Sequence, residues 1–346
     1  MIQFQCDYTE GAHENIIKKL VETNMEQTVG YGMDGYCESA RARIREKIGN
    51  PDADVHFTVG GTQTNLIVIS SILKPYQGVL SADAGHIAVH ETGAIEATGH
   101  KVLTLPSTDG LISAEQVEAA LVGHLASSTA EHEVQPGMVY ISFPTESGTI
   151  YSKKQLGDIY GVCRKYGVPL FVDGARLGYG LESPSCDMTI AEFASLCDVF
   201  YIGGTKCGAL FGEAVVITND ALKKDFRYML KQRGAMLAKG RLLGIQFDEL
   251  MRDDLYFKIC RAAVDKAMKI RNAFISKGVA MFGSSMTNQQ FPILTKVQTE
   301  YFGKKYSFEI WGPCDGDRSV TRFCTSWATS DENLNSLLGD IENMPM

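Results

Sequence analysis

This sequence predicts an α/β fold: a mostly parallel central sheet flanked by helices, followed by a smaller α+β C-terminal region. Two patterns carry the prediction. Short apolar runs alternate with helical stretches of roughly 10–15 residues, the mark of βαβ units. After about Leu237 the chain turns largely helical and closes in a short mixed tail.

Val55 to Val59 reads as a strand, Gly60 and Gly61 end it, and a helix follows from Thr62 to Leu73. Val79-Leu80 is a short strand ahead of a helix over Ala84–Thr98, and Lys101 to Leu105 is the next strand. Ser113 is placed to cap a helix running to Leu125. Val139 to Phe143 is a strand and Lys153 to Tyr166 a helix. Leu170-Phe-Val172 is a buried-type strand leading to Asp173, and two more strands follow at Val199–Ile202 and Ala214–Thr218. Leu237 to Lys277 is largely helical, with tail strands at Gln290–Leu294 and Ser319–Cys324. At roughly 150 residues per domain, the 346 residues make two domains, a large one over 1–245 and a small one over 246–346. The N-terminal segment is free to pack on either.

A net charge of −8 argues against nucleic acid or an anionic membrane as the main partner, since both call for a basic surface. The nine cysteines are scattered, with no Cys-x-x-Cys pair, which suits reduced thiols and a cytoplasmic location. The first residues lack a basic stretch leading into an apolar one, so no signal peptide is expected. The longest apolar run, near Leu66 to Leu73, is too short to span a bilayer.

Five places hold residues with chemical potential. Gly60-Gly-Thr-Gln-Thr64 joins a strand to a helix, where glycines admit close approach and the first helical N–H groups can bind an anion. A plain strand–helix turn explains the same residues. Asp173 ends an apolar strand, the edge at which open α/β sheets place ligands; it is a functional acid or a helix cap. Arg176, three residues on, serves the same pocket or a surface ion pair. Lys206 follows Gly203-Gly-Thr205; it is a lysine of a surface loop, or, with apolar segments on both sides, one that points inward, where burial lowers its pKa and suits it to Schiff-base chemistry. His86 and His90 stand four apart and could share a zinc ion with Asp83, although the order is not His-Glu-x-x-His and no third ligand is marked. A histidine stacked on a flat cofactor is the better reading of His86. Arg322 shares a strand face with Val320 and Cys324, a place for an arginine fork that meets a carboxylate, or for a buried ion pair.

Together these pieces resemble the fold-type I pyridoxal-phosphate enzymes, and more narrowly the low-specificity threonine aldolases of the β-eliminating lyase superfamily. The resemblance rests on Gly60-Gly-Thr-Gln-Thr-Asn65, Ala84-Gly-His86, Val172-Asp-Gly-Ala-Arg176, Thr205-Lys206 and Val320-Thr-Arg-Phe323. Cys6-Asp7 and Val29-Gly-Tyr31-Gly stand where that family has an N-terminal active-site segment. It implies cleavage of a β-hydroxy-α-amino acid to glycine and an aldehyde, with β-elimination or transamination as the alternative on the same scaffold. It gives Lys206, with Thr205 beside it, the covalent link to pyridoxal 5'-phosphate, Asp173 the ring nitrogen, His86 the ring face, and Gly61 and Thr62 the phosphate. Arg176 and Arg322 fall to the substrate carboxylate, with Cys6 and Tyr31 near the substrate, Tyr31 in the site of a neighbouring subunit of a dimer or tetramer. Two departures stand out. Where many members read Asn-Thr-His-Asn-Gly, this chain has Pro144-Thr-Glu146-Ser-Gly148, so the β-hydroxyl falls to Glu146 or His86; and a common N-terminal serine is Cys6.

Overall fold

The computed structural model describes residues 1–345. Seven strands form the central sheet: β1 (Asp54–Thr58), β2 (Gln77–Ala82), β3 (Val102–Leu105), β4 (Gln135–Ser142), β5 (Leu170–Asp173), β6 (Val199–Gly203) and β7 (Glu213–Ile217). Their order across the sheet is β1-β7-β6-β5-β4-β2-β3. All neighbours are parallel except at β7, which runs antiparallel to both β1 and β6.

Alternation along the strands buries both faces. Val139, Ile141, Leu170, Val172, Phe200 and Ile202 point into one core. Met138, Tyr140, Phe171, Val199 and Tyr201 point into the other. Helices cover each face, which is why the strands read as continuous apolar runs rather than half-polar ones. The helix caps follow local chemistry: Ser113 and Ser152 each form a capping box, with Gln116 and Gln155 three residues on.

A third core lies in the C-terminal region, around Phe274, Phe302 and Phe323. The N-terminal segment packs there: Phe4 belongs to this core, and Ile2–Gln3 pair with Tyr306–Ser307. The helix Leu255–Ser276 links the regions, with Tyr256 and Cys260 in the large core and Ile270 and Phe274 in the small one.

Two expected elements differ. The helix over Ala84–Thr98 is broken: His86–Val89 is one turn, and Glu96–Thr98 is a 3₁₀ turn. Thr92 and Gly93 between them take left-handed φ values of 53° and 70°, which no helix continues through. The strand over Gln290–Leu294 is split into Gln289–Gln290 and Ile293–Thr295, since Pro292 has no N–H to give a ladder. A hairpin strand at Glu309–Pro313 was not foreseen.

Candidate active site

The strand ends gather the chemistry. Gly60–Thr62 follow β1, His86 follows β2, Glu146 follows β4, Asp173 ends β5, and Thr205 and Lys206 follow β6. They line one cavity of about 280 Å³, together with Arg176. This is the carboxyl edge of the parallel strands, where loops leave an open α/β sheet.

Asp173 is the best-held group. Phe171 and Asp173 share a strand face with Tyr140 of β4 and Tyr201 of β6, so both phenols reach it. Tyr140 donates to Oδ2 at 2.6 Å and Tyr201 to Oδ1 at 2.5 Å. Asn65 Nδ2 donates at 3.1 Å and the Ala175 N–H at 3.0 Å. Burial works against its charge, but the positive charge of His86 and the phenol hydrogen bonds hold the carboxyl below the ordinary aspartate range. Gly174 must be glycine: a Cβ there would come within 1.9 Å of the Tyr201 carbonyl oxygen.

Burial, with Arg176 nearby, pushes the Lys206 ammonium below the ordinary lysine value, against the pull of Asp7, Asp173 and Glu213. Its Nζ lies 5.9 Å from the centre of the Tyr8 ring. Glu213, the first residue of β7, lines the same cavity and accepts from the Gly204 N–H at 2.9 Å. Burial raises its carboxyl to about 7, although hydrogen bonds from Thr205 and Gly204 oppose the rise.

His86 Nδ1 is 2.8 Å from Glu91 Oε1, and the His86 N–H donates to Glu146 Oε1 at 2.9 Å. Burial disfavours the imidazolium, yet the Glu91 hydrogen bond and the charge of Asp173 outweigh it and raise the imidazole above its ordinary value. Glu146 also accepts from Ser142 at 2.8 Å; burial raises its carboxyl despite that bond. The His86 and His90 rings are 5.6 Å apart, tilted by 52°. Among the described residues no three His, Cys, Asp or Glu side chains are grouped so as to hold a metal ion.

Gly61 and Thr62 open the helix Gly61–Ile72, whose cap residue Gly60 supplies no side-chain bond to the first N–H groups. Those donors are available to an anion in the cavity.

Arg176 lines the cavity but is not in a surface ion pair. Its Nε and Nη2 grip Asp7 at 2.7 and 3.0 Å, and Asp7 also accepts from Asn288 at 2.9 Å. Its pair is buried, so two of its five donors are spent inside the chain. Cys6, Tyr31 and Arg322 lie outside the lining of this cavity. Tyr31 sits with Arg227 and Met236 on another face, under Lys231. Arg322 Nη2 pairs with Glu309 and donates to the Gln5 carbonyl at 3.1 Å, while its Nε is buried without a partner among the described residues.

Sequence reasoning assigned no role to Tyr140, Tyr201, Asn65, Glu91, Glu213, Asp7 or Tyr8. A polar tip on an apolar strand was the signal for the two tyrosines. Glu213 gave none, because only the reversed direction of β7 brings its first residue to the carboxyl edge of the others.

Lys206, Asp173 and the uncapped helix start at Gly61 line one cavity at the carboxyl edge of an α/β sheet, the place where enzymes of this architecture hold their ligands. The family model for β-eliminating lyases matches residues 3–320, and this chain belongs to that family. A threonine aldolase structure from Leishmania major is 44% identical and superposes with a TM-score of 0.96 over 99% of both chains. A low specificity L-threonine aldolase of a Pseudomonas species is 27% identical over 98% of this chain and 96% of its own. An aspartate aminotransferase from Thermus thermophilus, 13% identical with a TM-score of 0.71 over 99% of this chain and 91% of its own, shares the fold, that of fold-type I enzymes.

Proposed function

We propose that this chain cleaves the Cα–Cβ bond of threonine-type β-hydroxy-α-amino acids, releasing glycine and an aldehyde, with pyridoxal 5'-phosphate as resident cofactor. The observation that carries the reading is the Asp173 carboxylate, ringed by four donors, in one cavity with Lys206. The residues fit the cofactor on their own chemistry. An amine of lowered pKa suits the aldehyde, an ionised buried acid suits a protonated ring nitrogen, and uncapped helix N–H groups suit a phosphate.

When bound, the cofactor supplies an aldehyde carbon for covalent attachment and a ring that takes up the electron pair left on Cα. Lys206 would hold it, with Thr205 beside; Gly61 and Thr62 would bind its phosphate; Asp173 would keep the proton on its ring nitrogen; His86 would lie against its face. Arg322, and what remains of the Arg176 fork, would anchor the substrate carboxylate and so choose which bond at Cα stands ready to break. Such orientation is worth up to roughly 7–11 kcal/mol. His86 would take the β-hydroxyl proton, with Glu146 the other group in reach of that role.

The same reading places the enzyme in the cytoplasm as a dimer or tetramer. The nine cysteines are free, and no described helix is long and apolar enough to cross a membrane. Val29, Tyr31, Met33 and Tyr228 are exposed apolar groups of the kind a subunit contact covers. It also keeps a large cofactor-binding unit and a small one, 1–245 and 246–346, supported by the separate C-terminal core, with Phe4 crossing to the small core and side chains from Phe247 to Val264 to the large one.

The test is to incubate the protein, supplied with pyridoxal phosphate, with L-threonine and L-allo-threonine. Glycine and acetaldehyde in equal amounts are expected. Pyruvate and ammonia from serine, with no aldehyde from either threonine, would instead establish β-elimination.

A further inference from the structure

Glu91 has no part in the reaction as drawn, yet it is wedged between two groups that do. Its side chain has 0% exposure. Oε1 accepts from Asn65 Nδ2 at 2.7 Å and lies 2.8 Å from His86 Nδ1. Asn65 Nδ2 also donates to Asp173 Oδ2 at 3.1 Å. An amide nitrogen can serve two carboxylates only when turned toward both, which leaves Asn65 Oδ1 buried and unpartnered. The left-handed Thr92 and Gly93 directly follow Glu91 and end the helical path that would have carried it elsewhere.

Glu91 Oε1 already accepts from Asn65, and an oxygen placed to accept pairs with a nitrogen that carries a proton, here Nδ1. The other nitrogen, Nε2, has no hydrogen-bond partner among the described residues and is not a buried atom, and His86 lines the cavity. We propose that Glu91 is the positioning residue for His86: it holds the proton on Nδ1, leaves Nε2 bare toward the cavity, and ties the ring through Asn65 to Asp173. This rests on the reading of His86 as the group that takes the β-hydroxyl proton. Threonine and its two products are isomeric in sum, so one proton leaves the hydroxyl and one is gained at Cα. Nε2 receives the first, and Glu91 stays hydrogen-bonded to Nδ1 until that proton is passed on. The other charged or titratable groups around the ring are Glu146 at its backbone, His90 beside it, and Asp173 and Lys206 across the cavity.

The experiment is a ¹⁵N–¹H correlation series on the full-length protein labelled at histidine, with the His86 signals assigned by their loss in His86→Asn. The parent is expected to show Nδ1–H with bare Nε2 above the imidazole midpoint. Glu91→Gln is expected to mix the tautomers and lower that midpoint by on the order of one pH unit or more, with Glu91→Asp intermediate, and kcat for threonine falling more than KM rises. A parent with its proton on Nε2, or a Glu91→Gln protein with unchanged tautomer and midpoint, overturns the assignment. The parent spectrum decides even if Glu91→Gln fails to fold. A parent with Nδ1–H that cleaves no threonine would sink the functional reading while supporting the orientation by Glu91.

Discussion

Glu309 and Arg322 stand directly opposite one another on antiparallel strands, and the carboxylate of the first meets the guanidinium of the second. The same guanidinium lies 5.0 Å from the centre of the Trp311 ring. An arginine proposed to hold a substrate carboxylate is therefore already holding one of its own chain. Substrate must share or displace Glu309, so the pair sets apparent affinity. Hydrogen bonds to charged groups are worth about 1.5–3 kcal/mol, so Arg322→Ala should cost about 10- to 100-fold in kcat/KM, through both a higher KM and a lower kcat. Glu309→Gln should instead lower KM for threonine. Steady-state kinetics on the two variants checks both, and unchanged values for Arg322→Ala would remove it from the carboxylate role.

Lys206 should be the only covalent anchor for the cofactor. Borohydride treatment of the loaded parent is expected to add the cofactor mass to the peptide containing Lys206, and to bleach the absorbance near the visible range. Lys206→Ala should show neither the band nor the mass. A variant retaining both, with full activity, would refute the assignment.

Much of the fold and of the site is legible in the sequence. Strands and helices followed from periodicity because both sheet faces are buried, and Asp173 and Lys206 stood out because each ends an apolar run. Local patterns could not reveal what tertiary pairing does to them. Thr92 in a left-handed conformation breaks a helix that Ala84–Thr98 otherwise favours. Arg176 reads as a pocket residue or a surface ion pair; it lines the cavity, and Asp7, 169 residues away, closes on its fork inside the protein. Arg322 has two readings in the sequence, a fork for a substrate carboxylate or an ion pair within the chain; its contact with Glu309 is of the second kind and depends on a hairpin the sequence does not announce.

His86 and Glu146 compete for the β-hydroxyl proton, and their surroundings separate them. Burial raises the Glu146 carboxyl and so favours its protonated form, which cannot take a proton, and its Oε1 already accepts from the His86 backbone N–H and Ser142, whereas His86 Nε2 accepts none among the described residues. Losing a general base typically costs about 10²–10⁴ in rate. His86→Asn should lower kcat by an amount in that range, and Glu146→Gln by distinctly less. The reverse ranking, measured at saturating threonine, would transfer the role to Glu146.

Glu213 makes a stability prediction that needs no cofactor. Its carboxyl is raised from an ordinary value of 4.5 to about 7 by burial. Folded protein therefore holds this proton over a range in which unfolded chain has released it. The favourable contribution is fully present below about 4.5 and is lost as pH rises through about 7. At about 1.36 kcal/mol per pKa unit, a rise from 4.5 to about 7 makes the loss about 3 kcal/mol. Glutamine resembles the protonated acid and can still accept from the Gly204 N–H. Glu213→Gln should thus match the parent in urea unfolding near pH 4.5 and be more resistant near pH 8. A difference between the two proteins that does not change across this range would mean that Glu213 stays ionised in the fold, with its charge balanced by Lys206.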